Sequence, residues 1–375
     1  MDNVMLEAAS GTMAEMLTPL GAQAPPLSAQ APSRGVSLDG DPDPRQDAIH
    51  LNTAFKGRGK NVPEIINILA HRDVTQRAEI QEAYKAMYSE DLKQRLSQEL
   101  GFAGDVSENL GVNISGDLNG ELFGPLSSNI KKAVMLWMLD PAERDATIVG
   151  QALTLTSLDL IALTEVICSR TPSEIRLFKK AYFQKYGTQI NDDLDFKTYT
   201  YHKKLLIACL NAERDEGTVA NQSLAEEDAK KLYKEGEGKW GTDEKTFIHI
   251  FTQRNRAHLA AVASVYQHLY GNSLAKAVEN ETSGNFKFGL LTLLRCAENP
   301  AKYFAEVLYE AMKGLGTRDT TLIRVMVTRA EIDMNYIKDE YAKIDGKSLR
   351  DAIQSNTSGD YRTFLIYLSG PIDAP

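Results

Sequence analysis

Cysteine is scarce. Cys168, Cys209 and Cys296 are the only thiols in 375 residues, an odd set without metal-binding spacing, as expected of a reducing compartment. No apolar run approaches the roughly eighteen residues needed to span a bilayer. No basic residue precedes Arg34, so residues 1–33 lack the charged start and apolar core of a secretory signal. A cytoplasmic protein is expected, and the Asn-x-Ser/Thr matches at Asn113, Asn221, Asn280 and Asn356 are then fortuitous. Positive charge is also short. Lys and Arg number 42 against 51 Asp and Glu, a net charge of −9, so nucleic acid is not an expected partner. An acidic membrane would be repelled as well, unless a cation bridges the two surfaces. Alternating strand patterns are missing, which leaves an all-α chain with 43% hydrophobic residues to build its core.

What is present is a metre. Phe55-Lys56-Gly57-Arg58-Gly59 is followed by Arg72 thirteen residues past its last glycine and by Glu99 forty past it. Gly236-Glu237-Gly238-Lys239-Trp240-Gly241-Thr242 has Arg254 thirteen past Gly241 and Glu281 forty past it. Met312-Lys313-Gly314-Leu315-Gly316-Thr317 has Arg329 at thirteen and Asn356 at forty, where an acid is expected. Glycine lets successive carbonyl oxygens turn toward one point. A remote carboxylate then closes the shell of a hard, oxygen-loving ion such as calcium. An internal repeat of this kind overrides any domain count from length.

A further unit is found through Arg170, which sits in the helical context of Arg72 and Arg329. Counting from it places Ser157 at the glycine and Lys197 at the acid. Four units follow, over about 44–141, 142–216, 217–299 and 300–372, behind a flexible tail at 1–43 rich in Ala, Pro, Gly and Ser. Each reads as several short helices. Tyr303, Phe304, Val307, Leu308, Ala311 and Met312 form one apolar face running into a glycine turn; Leu322, Ile323, Met326 and Val327 repeat the pattern after it. Ile80, Ala83, Tyr84 and Met87 do the same in the first unit. Leu290, Leu291, Leu293 and Leu294 are dense enough for a buried closing helix. Thr242-Asp243-Glu244 and Thr317-Arg318-Asp319 suit helix starts capped by a hydroxyl.

The Lys-Gly-x-Gly-Thr turn, the acid forty residues on and the four units resemble the annexin family over about residues 44–372. Ala70-His71-Arg72 and Leu136-Trp137-Met138-Leu139-Asp140-Pro141-Ala142-Glu143-Arg144-Asp145-Ala146 look like its plant branch. The resemblance implies four repeats of about five short helices each in a curved disc. It also implies convex-face loops that bind calcium and, through it, acidic phospholipid. Carried over residue by residue, the calcium ligands would be the carbonyls of Phe55, Gly57 and Gly59 with Glu99. In the third unit they would be those of Gly236, Lys239 and Gly241 with Glu281, and in the fourth those of Met312, Gly314 and Gly316. Trp240, at the tip of the third loop, would contact the membrane. Open positions in such a shell can be completed by lipid.

The chain departs from the family in places. Lys60 stands where threonine is usual. Residues 101–126 are an insertion of 26, with six glycines, four acids and no Lys or Arg: an extra in-frame segment, or an acidic flap over the loop. Asn356 offers one neutral oxygen, so the fourth site should be weak; Ser157 and Lys197 leave the second unit without a site. The family's actin-related Ile-Arg-Ile reads Ile248-His249-Ile250, which counts against that partner, and self-association on membranes is left open. No enzyme is expected. The alternative is peroxidase-like or ion-conducting activity on the same scaffold. It would rest on His71 as a haem ligand and on Cys168 and Cys296 as redox groups, whereas a packed histidine and buried, inert thiols are the plainer reading.

Overall fold

The computed structural model describes residues 43–56, 61–100, 128–154, 158–314 and 316–371, without the side chains of Phe196 and Lys197. These residues form twenty helices and no strand, in four sets of five. The first set is α1 (Pro44–Lys56), α2 (Val62–Ala70), α3 (Val74–Tyr88), α4 (Leu92–Glu99) and α5 (Asn129–Trp137). The second is α6 (Pro141–Ala152), α7 (Leu160–Ser169), α8 (Pro172–Tyr186), α9 (Ile190–Lys197) and α10 (Thr200–Asn211). The third is α11 (Gln222–Glu235), α12 (Glu244–Gln253), α13 (Arg256–Tyr270), α14 (Leu274–Glu281) and α15 (Gly284–Glu298). The fourth is α16 (Pro300–Met312), α17 (Asp319–Arg329), α18 (Met334–Asp345), α19 (Leu349–Asn356) and α20 (Gly359–Leu368). No helix among the described residues is long and apolar enough to cross a membrane.

Local chemistry sets these boundaries. Asp73 and Thr171 begin α3 and α8 with reciprocal capping boxes to Gln76 and Glu174, which satisfy donors that the helix itself leaves free. The third helix of every unit ends on a left-handed residue, Ser89, Gly187, Gly271 and Gly346, which turns the chain into the short fourth helix. The expected apolar faces are buried in α16, α17 and α15, with Val307 and Leu291 half-buried at their edges. Met87 is a correction. It lies exposed, because α3 packs on α1 through Ile80 and Tyr84, one turn before its own end.

In each unit the first helix packs along the third. Units then pair reciprocally. The second helix of one lies against the fifth of the other: α2 with α20 and α5 with α17 join units one and four, while α7 with α15 and α10 with α12 join units two and three. The two halves meet through buried charge, Arg324 on Glu165 at 2.8 Å, and through Arg144, which donates to the carbonyl of Val327. This closes the four units into the expected disc.

The candidate cation loops

The loop between the first and second helices is pinched at its base in every unit by the same bond. The N–H of Asn61 donates to Ala54 (3.4 Å), Asp159 to Ala152 (2.9 Å), Asp243 to Glu235 (2.9 Å) and Arg318 to Ala311 (2.9 Å). Donor and acceptor are seven residues apart in three units and eight in the third. The third loop therefore carries one extra residue. That is why its expected ligands fall at Gly236, Lys239 and Gly241 rather than at every second position.

The third loop is the best assembled. Glu281 ends α14, and its carboxylate accepts the Thr242 hydroxyl at 2.5 Å, with the Glu281 main-chain carbonyl 3.1 Å from the same oxygen. The expected hydroxyl cap is thus a correction. Asp243 caps α12, accepting from Lys245, and Thr242 instead ties the loop to an acid thirty-nine residues away. Gly241 takes φ +81°, a conformation that side chains with a Cβ rarely adopt. A Cβ on Gly236 would stand 3.4 Å from Glu281 Cγ, so the carboxylate side chain lies directly on the loop backbone. Glu237 anchors the loop from below, accepting from Tyr266 (2.7 Å) and Asn272 (2.9 Å) on and just after α13.

The carbonyl of Gly236 accepts from Lys239 N–H at 3.1 Å, which leaves its second lone pair. Those of Lys239 and Gly241 accept nothing from the described residues. Trp240, at the tip, is fully exposed. The donors are hard oxygens, three neutral and one anionic, and they suit calcium. No cluster of three or more His, Cys, Asp or Glu side chains forms a metal site among the described residues, and a loop built mainly of main-chain oxygens would not make one.

The fourth loop has the same frame with a weaker partner. Thr317 donates to the Asn356 main-chain carbonyl at 2.9 Å, and Gly314 and Gly316 take φ +126° and +96°. The Asn356 amide turns back on α19, donating to Ala352 at 2.9 Å. Met312 is buried at the end of α16. In the first unit, Gly57, Gly59 and Lys60 lie outside the described residues. Phe55 is buried, and Glu99 is held at 2.9 Å by Arg95 one turn back on α4. Units three and four have Ala277 and Ala352 at the arginine's place. Ser128 Oγ donates to Leu100 O at 3.0 Å, so the chain leaves at 100 and returns at 128 to adjacent points. Residues 101–126, the expected insertion, lie outside the described residues.

Each unit's arginine has a role that the metre alone does not reveal. In three units it clamps the helix after the loop to the helix before it through an aspartate. Arg72 bonds Asp47 through two nitrogens (2.6 and 2.9 Å), Arg170 bonds Asp145 (2.6 and 2.8 Å) and Arg254 bonds Asp228 (2.6 and 3.0 Å). An Asp twenty-five or twenty-six residues ahead of the arginine was the available signal. Burial opposes ionisation of Asp228, but bonds from Arg254 and His258 outweigh it and hold its carboxyl below the ordinary range. In unit four, Phe304 stands at the aspartate's place. Arg329 lies 4.5 Å from that ring and pairs with Asp333 instead.

His71 makes structural contacts. Its Nδ1 lies 2.7 Å from the Asn67 carbonyl, and its ring lies 4.7 Å from that of Tyr367. The three cysteines are buried, and burial pushes the Cys296 thiol up to about 12, far from a reactive thiolate.

A family model described as Annexin matches residues 46–110, 144–209, 227–293 and 303–368. The chain is 43% identical over 330 residues to annexin D5 of Arabidopsis thaliana, covering 88% of this chain and 96% of that one. It is 38% identical over 328 residues to human annexin A4, covering 88% and 95%. Among solved structures, annexin III superposes with a TM-score of 0.80 at 31% identity, covering 90% of this chain and 97% of that one. A structure titled calcium-bound annexin (Sm)1 superposes at 0.73 with 29% identity, covering 88% and 91%. The chain belongs to the annexin family, in its plant-type branch, a family of calcium-binding, membrane-associating proteins.

Proposed function

We propose that this protein binds acidic phospholipid membranes when calcium rises, chiefly through its third unit. The observation that carries the reading is Glu281, held by Thr242 over the Gly236–Thr242 loop while Trp240 projects fully into solvent. The carbonyls of Gly236, Lys239 and Gly241 with the Glu281 carboxylate would hold calcium and leave positions open for water or a lipid phosphate. An ion so held offsets the repulsion between a chain of net charge −9 and an acidic bilayer. The indole of Trp240 suits the interface, which accepts both an apolar ring and an N–H donor.

The other loops rank below it on stated grounds. Glu99, with Phe55, Gly57 and Gly59, supplies the first site, but calcium must compete there with Arg95. The carbonyls of Met312, Gly314 and Gly316 lack an anionic partner, and calcium affinity follows ligand charge. The working location is the cytoplasm, with peripheral attachment to membranes and no catalytic step. Sedimentation with phosphatidylserine-containing vesicles tests this. The protein should pellet with vesicles in calcium and stay in the supernatant with chelator. Equal pelleting in both would refute it.

A further inference from the structure

The second unit lacks the last glycine and the carboxylate of the cation loop, at Ser157 and Lys197, but its described flanks repeat the frame of the third. Its loop base is closed by Asp159 N–H on Ala152 O at 2.9 Å, as the third unit's is by Asp243 on Glu235. At the start of its fifth helix, Thr200 takes φ +58°, where units three and four have Gly284 at +58° and Gly359 at +60°. A β-branched residue there is strained. The turn has been retained without the glycine and without the carboxylate.

Apolar side chains now occupy the polar positions of that frame. Leu158 replaces Thr242, the residue that ties the carboxylate; Ile161 replaces Lys245; Tyr199 replaces Ser283. Unit four has Thr317, Thr320 and Ser358 at the same places. Leu158 is 47% exposed, Ile161 44% and Tyr199 73%. Asp159 caps α7, accepting from Ile161 and Ala162, which fixes the turn that displays Leu158 and Ile161. Tyr199 opens α10, whose first turn is joined to the third unit's site. The Tyr201 ring lies 5.9 Å from that of Phe286, and its hydroxyl faces Glu244, just beyond Trp240's loop. The start of α10 therefore adjoins the third unit's site, and Leu158 and Ile161 stand at the second unit's equivalents of Thr242 and Lys245.

We infer that Leu158, Ile161 and Tyr199 form an apolar membrane contact in the second unit, seated in the lipid interface beside the calcium-bridged third unit. The inference rests on the membrane reading given above. A lipid surface is the occupant because the three residues hold, in the second unit, the positions that flank an exposed indole and open carbonyls in the third, and because interfacial regions accept tyrosine and aliphatic side chains together. The contact needs no ion of its own, but it reaches the bilayer only when calcium has docked unit three.

Leu158→Cys, labelled with an environment-sensitive fluorophore, tests the placement; the native thiols at Cys168, Cys209 and Cys296 are buried and leave the new one as the reactive site. Emission should shift to the blue when phosphatidylserine vesicles and calcium are both present, and return with chelator. Leu158→Ser/Ile161→Ser/Tyr199→Ser should weaken calcium-dependent vesicle binding about tenfold while leaving the chelator-state unfolding temperature near the parent's. Parent protein that pellets with calcium, with an unmoved label and an equally bound triple variant, overturns this inference and leaves the membrane reading standing. Parent protein that fails to pellet overturns both. A triple variant that changes self-association without vesicles, and not vesicle binding, assigns the patch to a second copy of the chain and overturns the inference as well.

Discussion

Replacing Glu281 by Gln separates the role of its charge from the role of its shape. The substitution keeps length and volume, and Thr242 can still donate to the amide oxygen as it does to the carboxylate at 2.5 Å. What changes is one negative charge at the last residue of α14. A carboxylate at a helix C-terminus sits against the negative end of the dipole, unfavourable by about 0.3–1 kcal/mol. In chelator, therefore, the Gln variant should unfold at the parent's temperature or about 1–2 °C above it. In calcium the order reverses. Loss of the one anionic ligand should raise the site's calcium midpoint about tenfold, about 1.4 kcal/mol. At a calcium concentration one hundred times the parent's dissociation constant, the stabilisation from this site would fall from about 2.7 to about 1.4 kcal/mol. Thermal unfolding with and without calcium, run beside vesicle sedimentation, reads both halves. An unchanged midpoint would mean that Glu281 does not face the ion. A variant destabilised in chelator would mean that the carboxylate serves the fold through Thr242 instead.

Asn356→Glu should lower the calcium needed for half-maximal vesicle binding, because Thr317 already holds the Asn356 main chain as Thr242 holds that of Glu281; an unmoved midpoint would show that the fourth loop cannot use an acid. His202→Gln tests acid stability. Burial pushes His202 down to about 4, with its Nε2 2.8 Å from the Thr164 hydroxyl, against about 6.5 in an unfolded chain. Between those values the unfolded chain binds more protons, so this contribution is complete above about pH 6.5 and shrinks as pH falls toward 4. Chemical unfolding at several pH values should show the variant losing up to about 3 kcal/mol less than the parent over that window. Equal slopes would exclude His202 as the source. Deleting residues 101–126 should leave the core folded, since Leu100 and Ser128 already touch and closure entropy grows slowly with loop length. Removing its four acids should strengthen calcium-dependent vesicle binding, more at low salt than at high; weaker binding would make the segment a membrane contact.

The sequence carried the parts of the site that backbone geometry constrains. Glycines where the chain needs a left-handed turn, and an acid at a fixed distance, must recur in register if the same loop is built several times. Counting forty from the last glycine reaches a residue that lies beside the loop in units three and four, Glu281 and Asn356, and the loop base is pinched by the same bond in each unit. That counting also hid the extra residue in the third loop, which lies before the reference point. The threonine after the glycine was legible as a helix start. Its hydroxyl bonds across the unit because Asp243 already caps α12 and because the unpaired carboxylate of Glu281 is the stronger acceptor.

Side-chain partners are where counting runs out, and Arg329 shows why. A reader who places an aspartate twenty-five residues before each arginine finds Asp47 and Asp145, then Asp228 one residue farther back, and at the fourth place Phe304. The clamp looks abandoned. Yet Arg329 is buried, and a buried guanidinium left unpaired costs several kcal/mol. The fourth unit meets that requirement locally, with Asp333 four residues on and the Phe304 ring beneath the guanidinium. The same substitution moves the tie. In three units the arginine joins the two helices flanking the loop through ions; in the fourth the join between α16 and α17 is the face of a ring, and the ion pair holds α17 to the turn after it. A metre in the sequence reports that a charge must be met. Only the packing decides from which side.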